Sequence, residues 1–143
     1  MNIQNTIRNH CKSPRNFLPL DQFSNSHTVK NPSCGDSVEI RIASNQGRIS
    51  SISVTSVGCP ICIASGSILS ETIDDQSLDY AFKKINQVVR EVTSPVSASK
   101  SVEGRNQKSG EFDFSGMNLS LRKRNCFLLP WICLKEVLGQ IDE

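Results

Sequence analysis

The stretch SVEIRIASNQGRISSISVTSVGCPICIASGSILSETID, residues 37–74, decides the fold. Over residues 37–43, Val38, Ile40 and Ile42 alternate with Glu39 and Arg41, the period of a strand with one buried face. Asn45-Gln46-Gly47 supplies a turn with a residue suited to positive φ. Residues 48–57 return as a second strand with Ile52 and Val54 in phase. Ile49 is out of phase with them, which predicts a bulge or a late strand start. Gly58-Cys59-Pro60 closes this antiparallel hairpin and opens a helix, because proline is favoured at the first helical position, where its missing N–H would have no partner anyway. The helix runs to about Asp74 and carries a small-residue patch, Ala64-Ser65-Gly66-Ser67, that permits close packing on a sheet.

Working outward, Leu78, Phe82, Ile85, Val89 and Val92 repeat at helical spacing and predict a second helix with a core-facing stripe. Residues 2–11 form a short helix with Ile3 and Ile7 on one face, stopped by Ser13-Pro14-Arg15-Asn16. Residues 17–33, rich in Ser, Asn and Pro, read as an irregular connection. Residues 93–111 lose all periodicity and read as a mobile excursion within one domain spanning residues 1–143. Phe112, Phe114, Leu119 and Leu121 suggest a short strand near its end. A last helix over about residues 127–141 tolerates Pro130 only in its first turn. The sum of these readings is an antiparallel hairpin followed by helices.

More than a quarter of the 143 residues are Leu, Ile, Val or Phe, enough for a core. A net charge of +2 is too small for the broad basic face of a nucleic-acid binder. No apolar run approaches the roughly 18 residues of a membrane span, and MNIQNTIRNHC has no apolar signal region. The expected location is cytoplasmic. In a reducing compartment six cysteines are not a disulfide framework, which leaves metal ligation, sulfur chemistry or burial as small hydrophobes.

Cys34 precedes the first strand of the hairpin, with Gly35 allowing a tight bend and Asp36 adding a carboxylate. One soft and one hard donor from one turn suit zinc or iron, although the hexapeptide alone also fits an ordinary loop. Cys59 stands where a helix N-cap belongs, so free backbone N–H groups and the helix dipole favour its thiolate. Cys62 follows three residues later. Burial competes there with a zinc knuckle or a redox dithiol, and a thioredoxin-like dithiol would want a βαβ setting rather than a hairpin. Cys126 follows Arg122-Lys123-Arg124-Asn125 and is placed at the start of the last helix, again favouring a thiolate. The basic run also fits a solvated face. Cys133 reads as core, and Cys11, His10 and His27 receive no role from spacing.

The combination resembles a known family. Asn31-Pro32-Ser33-Cys34-Gly35-Asp36, Gly58-Cys59 opening a helix with Ala64-Ser65-Gly66-Ser67, and Cys126 followed by Leu129 and Trp131 are similar to the U-type iron–sulfur cluster assembly proteins (IscU, SufU and the N-terminal domain of NifU). His10, Pro14, Arg15 and Asn16 resemble that family's first helix and its exit. The resemblance covers roughly residues 6–138, with 24 residues between Cys34 and Cys59. Asn125 stands where IscU and NifU carry histidine. With 66 residues between Cys59 and Cys126, and with Trp131, the chain is more similar to SufU. Cys62 in place of serine, Gly66 within the small-residue run and Pro130 depart from the family pattern.

The resemblance implies a SufU/IscU-like α+β fold, a small antiparallel sheet packed against helices, in which Cys34, Asp36, Cys59 and Cys126 meet at one exposed edge as metal ligands. It implies zinc, a transient [2Fe–2S] cluster, or both, with Cys34, Cys59 and Cys126 as the cofactor-binding thiols. Four thiolates including Cys62 could instead close the site and exclude Asp36. Cys126 is the expected sulfur acceptor, taking persulfide sulfur from a SufS-type cysteine desulfurase. Asp36, the hardest donor, is expected to leave the metal most readily, and downstream iron–sulfur acceptor proteins take the product. This is a scaffold or carrier role, or that of a zinc-dependent sulfurtransferase, with no nucleic-acid or membrane partner. The alternatives are a structural zinc module without sulfur transfer and a dithiol oxidoreductase using Cys59 and Cys62.

Overall fold

The computed structural model describes residues 3–31, 35–93 and 121–141, with backbone alone for residues 3, 4, 121 and 122. Helix α1 spans Ile3–Lys12. Strands β1 (Asn25–Asn31), β2 (Asp36–Asn45) and β3 (Arg48–Val57) follow, then helices α2 (Pro60–Ile73), α3 (Leu78–Thr93) and α4 (Leu121–Gly139). The strands form an antiparallel sheet in the order β1-β2-β3. The fold is α+β, as the family resemblance implies.

The alternation in β2 buries Val38, Ile40 and Ile42 completely. Ile52 and Val54 of β3 join them, and Ile49 is also buried despite its odd phase. The pairing explains this: Ala43 opposes Ser51 while Ser44 opposes Ile49, so Ser50 is the extra residue of a bulge that turns Ile49 inward. Gln46 and Gly47 make the turn with φ of 53° and 76°.

Helix α2 lies against β3, and α4 lies against β1, β2, α2 and α3. Gly66 sets how close α2 comes. A Cβ there would stand 2.7 Å from Ser56 Oγ and 2.8 Å from Val54 Cγ1, so the departure within the small-residue run is what the sheet contact demands. Trp131 and Phe127 of α4 are fully buried. Trp131 Nε1 donates to Ser65 Oγ at 3.0 Å, and that hydroxyl in turn donates to the Phe127 carbonyl, which ties α4 to α2.

Expectations for three elements are corrected. Residues 25–31 are not irregular but form β1; only Val29 is apolar there, so no alternation announces the strand, and pairing with β2 supplies the order. Helix α4 begins at Leu121, six residues earlier than expected, so Leu121 is helical and Pro130 lies inside the helix. Pro130 offers no N–H to the Cys126 carbonyl, and on the adjacent carbonyl, Phe127, the Ser65 hydroxyl supplies a bond from another helix. The α3 stripe is rotated: Ala81, Ile85, Val88 and Val92 face the core, while Phe82 is 40% exposed. The excursion at 94–111 and the strand expected over 112–120 lie outside the described residues.

The N-terminal segment is tied down by polar groups. His10 is buried, its Nδ1 2.7 Å from Ser67 Oγ, which also accepts from Arg15 N. Burial, aided by the Arg15 charge, lowers the His10 pKa. Further on, Val54 N donates to the Asn16 carbonyl, and Thr55 Oγ1 and Arg41 Nη1 donate to the carbonyls of Phe17 and Leu20. Asn16 thereby lies along the free edge of β3, and Phe17 and Leu20 are tied to the sheet through the side chains of Thr55, Arg41 and Ser53.

Candidate metal and sulfur site

The sheet register builds the site. Ser37 pairs with Val57, so Asp36 and Gly58 face each other one step further along the ladder, and Cys59 follows at once. Gly58 has φ +123°, and a Cβ at that position would collide with Asp36 Oδ1 and stand 3.0 Å from Asp36 Cα. Only glycine lets the chain leave β3 this close to Asp36. Gly35, φ +75°, makes the bend that enters β2, with its N–H donating to the Asn31 carbonyl at 2.8 Å.

Cys59 is the N-cap of α2, with extended backbone (φ −63°, ψ 137°) and no side-chain capping bond, and Pro60 begins the helix as expected. Its sulfur is therefore not committed to the helix end. Asp36 Oδ1 accepts from Cys59 N at 2.9 Å, which sets a carboxylate at the positive end of the helix. Asp36 is 1% exposed, and its Oδ2 is buried with no hydrogen-bond partner among the described residues. A buried carboxylate oxygen left without a donor is costly, and a bound cation is one remedy.

Cys126 comes from α4. Its Sγ, the Cys59 Sγ and a carboxylate oxygen of Asp36 all lie within 4.8 Å of one another. Cys126 is buried and Cys59 half-buried, so the group opens outward on the Cys59 side. Cys126 is the sixth residue of α4 rather than its start, so the expected help from the helix dipole, which fades after the first turn, does not apply. Lys123 is exposed and Arg124 half-buried in the first turns of α4.

Cys62, in the first turn of α2, is fully buried. Burial, with the Asp36 and Cys59 charges adding, pushes its thiol up to about 12. Cys133 is likewise core: it donates to the His27 carbonyl at 3.3 Å, and burial pushes its thiol up to about 12. Cys34, the fourth member of the expected ligand set, lies outside the described residues, as does the question of its distance from the other three. What spacing missed is His10, which has a buried structural partner in Ser67 that no local pattern reveals.

The donor chemistry fits a thiophilic cation. Two thiols and a carboxylate within one small volume suit tetrahedral zinc or iron, and the unpartnered Asp36 Oδ2 supplies an oxygen with no competing bond.

The chain thus carries two cysteines and an aspartate gathered at one end of a small antiparallel sheet packed under helices. Residues 2–109 match the model of the NifU-like N-terminal domain family, and the chain belongs to that family. It is 25% identical over 146 residues to the iron–sulfur cluster assembly scaffold protein IscU of Thermotoga maritima, covering 99% of this chain and 96% of that protein. It is 31% identical over 85 residues to the iron–sulfur cluster assembly scaffold protein IscU 1 of Archaeoglobus fulgidus, covering 59% of this chain and 56% of that protein. This second match spans little more than half of the relative's length. In fold, the chain is similar to a candidate iron–sulfur cluster assembly scaffold of the SUF system from Fervidobacterium islandicum AW-1. The TM-score is 0.75, with 20% identity and 93% of each chain covered. It is also similar to the N-terminal part of a NifU-like protein from Brucella abortus, with a TM-score of 0.71, 15% identity, and 95% of this chain and 91% of that chain covered. Among the described residues, no helix is long and apolar enough to cross a membrane.

Proposed function

We propose that this chain is a scaffold and sulfur acceptor of iron–sulfur cluster assembly, working as a single domain over residues 1–143 in the cytoplasm. The observation that carries the reading is the approach of Asp36, Cys59 and Cys126 to within 4.8 Å at the half-open edge of the sheet. Family membership and the scaffold roles of the Thermotoga and Archaeoglobus relatives support it. Cys34, two residues before Asp36, completes a ligand set of three thiols and one carboxylate.

Zinc bound by Cys34, Asp36, Cys59 and Cys126 would keep the thiols as thiolates and hold the edge in order. The iron–sulfur cluster itself is cargo, assembled and passed on to acceptor proteins. The chain's own chemistry is thiol exchange. The Cys126 thiolate attacks the outer sulfur of a persulfide on a cysteine desulfurase, and the sulfur–sulfur bond of the donor breaks. The donor cysteine leaves as a thiolate, and Cys126 carries the sulfur. Asp36 is held by the Cys59 N–H through one oxygen, so the other stays available to a cation throughout. Asn125 in place of histidine, the long interval before Cys126, and Trp131 favour a SufU-like relay with a SufS-type desulfurase.

Anaerobic purification with metal analysis, a visible spectrum and a desulfurase assay tests the reading. A colourless zinc protein that accelerates a SufS-type desulfurase, and loses this with Cys126→Ser while staying folded, is the expected result. A brown protein after reconstitution with iron and sulfide supports the scaffold in place of the relay. A zinc protein without effect on the desulfurase, whose Cys126→Ser variant unfolds, returns it to a structural zinc module.

A further inference from the structure

The sulfur-acceptor reading leaves one thiol of this region without a task. Cys62 lies three residues after Cys59, inside the first turn of α2 and fully buried, while Cys59 caps the same helix and is half-buried. A cysteine at a helix N-terminus with a second thiol three residues on is the arrangement of disulfide-exchanging Cys-X-X-Cys sites, where an outer sulfur takes the substrate and an inner one resolves it. The strand before it, the glycine at 58 and the proline at 60 hold Cys59 rigidly at the helix entrance. Beside the pair stands Asp36, 1% exposed, with Oδ2 unpartnered and a carboxylate oxygen within 4.8 Å of the Cys59 and Cys126 sulfurs. Asp36 and Cys126 thus flank the Cys59 sulfur, and Cys62 stands three residues further along the first turn of α2.

We propose that Cys62 resolves a persulfide carried on Cys59, releasing its outer sulfur as sulfide and leaving a Cys59–Cys62 disulfide. The proposal rests on the sulfur-acceptor reading and deepens it by naming the source of electrons. Cluster assembly consumes sulfide, whereas a persulfide delivers sulfur two electrons short of it. The outer sulfur first passes from Cys126 to Cys59: the bond to Cys126 Sγ breaks, the bond to Cys59 Sγ forms, and Cys126 is left a thiolate. The two sulfurs are within 4.8 Å, so no large movement is needed. Cys62 Sγ then attacks Cys59 Sγ. The bond from Cys59 Sγ to the outer sulfur breaks, and the outer sulfur leaves with both electrons and the Cys62 proton, as hydrogen sulfide. The outer sulfur is reduced by two electrons, and the two cysteines are oxidised to a disulfide, which a small dithiol reductant resets.

The burial difference gives the step its direction. Displacement at sulfur is in line, so a leaving sulfur lies opposite its attacker. With Cys62 fully buried and Cys59 half-buried, the attack comes from the core side and sulfide departs on the open side of Cys59. Full burial also keeps Cys62 from taking sulfur directly from a donor protein. Hydrogen sulfide, a more acidic thiol than cysteine, is the better leaving group of the two sulfurs on Cys59.

The test uses the full chain, reduced, kept anaerobic and loaded with inorganic polysulfide, then freed of excess reagent. Released sulfide is followed in time, and disulfides and persulfides are mapped by mass spectrometry of peptides. Wild type is expected to release sulfide in step with formation of a Cys59–Cys62 disulfide. Cys62→Ser and Cys62→Ala are expected to retain the persulfide and to release sulfide roughly tenfold more slowly or worse. A wild-type persulfide as long-lived as in the variants, or a disulfide joining Cys59 to Cys34 or Cys126, overturns the proposal. The mapping is made on wild type, so an unfolded variant does not leave the matter undecided. Polysulfide loading needs no desulfurase, so failure of desulfurase transfer would sink the acceptor reading separately.

Discussion

Cys126 and Cys133 stand seven residues apart on α4, on one face of the helix, and both are buried, with 2% and 0% exposure. Their surroundings differ. Cys133 lies over the middle of the sheet and gives its proton to backbone carbonyls of His27 and Val38. Cys126 lies over the end of the sheet, where the β2–β3 register brings Asp36 and the N-cap of α2 together. Burial therefore does not single out the candidate ligand. What sets Cys126 apart is a neighbouring carboxylate and a second sulfur that is partly open to solvent.

The contrast breaks most sharply under paired substitution. Cys126→Ser is expected to weaken zinc binding by roughly 100-fold or more, beyond the roughly 10–100-fold typical of groups that merely orient ligands. Cys133→Ser should leave the affinity unchanged and lower stability instead, and chelator competition beside a denaturant titration reads both effects. Gly58→Ala attacks the same end of the sheet through the backbone. Its Cβ would collide with Asp36 at a φ of +123°, so stability is expected to fall by about 2–3 kcal/mol, with zinc binding lost alongside.

Ser65→Ala removes the link that seats α4 on α2. The Phe127 carbonyl and the Trp131 N–H lose the partner they share, and stability is expected to fall by about 1–3 kcal/mol in urea unfolding. The smallest effect concerns His10. Its pKa is lowered in the folded chain, so the unfolded chain binds the proton more tightly. The neutral ring's contribution is complete above the ordinary value of 6.5 and is lost as pH falls through 6.5 toward the folded value. Unfolding free energy measured across this range should decline on acidification, and His10→Gln should flatten the slope.

How far the sequence reveals these regions depends on the pattern each one leaves. The β2–β3 hairpin, its bulge and α2 are legible because alternating Val and Ile, one residue out of phase, and a Gly-Cys-Pro junction are local signals. β1 leaves none, since its order comes from pairing with β2 and not from its own residues. The first turns of α4 are hidden by Arg122-Lys123-Arg124-Asn125, which carries no apolar stripe, and Pro130 argues against an interior position that the contact with Ser65 nevertheless supports. In α3, Phe82 outweighs the smaller Ala81 in any hydrophobic count, yet the crowded interior admits Ala81 and leaves Phe82 at the rim. At the site, Cys59 as N-cap follows from Pro60, but the approach of Asp36 to Cys59 follows from strand register, which pairing creates. The link to Cys126, 66 residues further on, comes into view only through resemblance to a family.

Metal stoichiometry on wild type and on Cys34→Ser, Cys59→Ser, Cys62→Ser, Cys126→Ser and Cys133→Ser tests the central claim most directly. Zinc is expected to be bound in equimolar amount by wild type, Cys62→Ser and Cys133→Ser, and lost from the other three. Full occupancy in Cys126→Ser with its fold intact, or loss of zinc in Cys133→Ser alone, would contradict a site shared between the sheet end and α4.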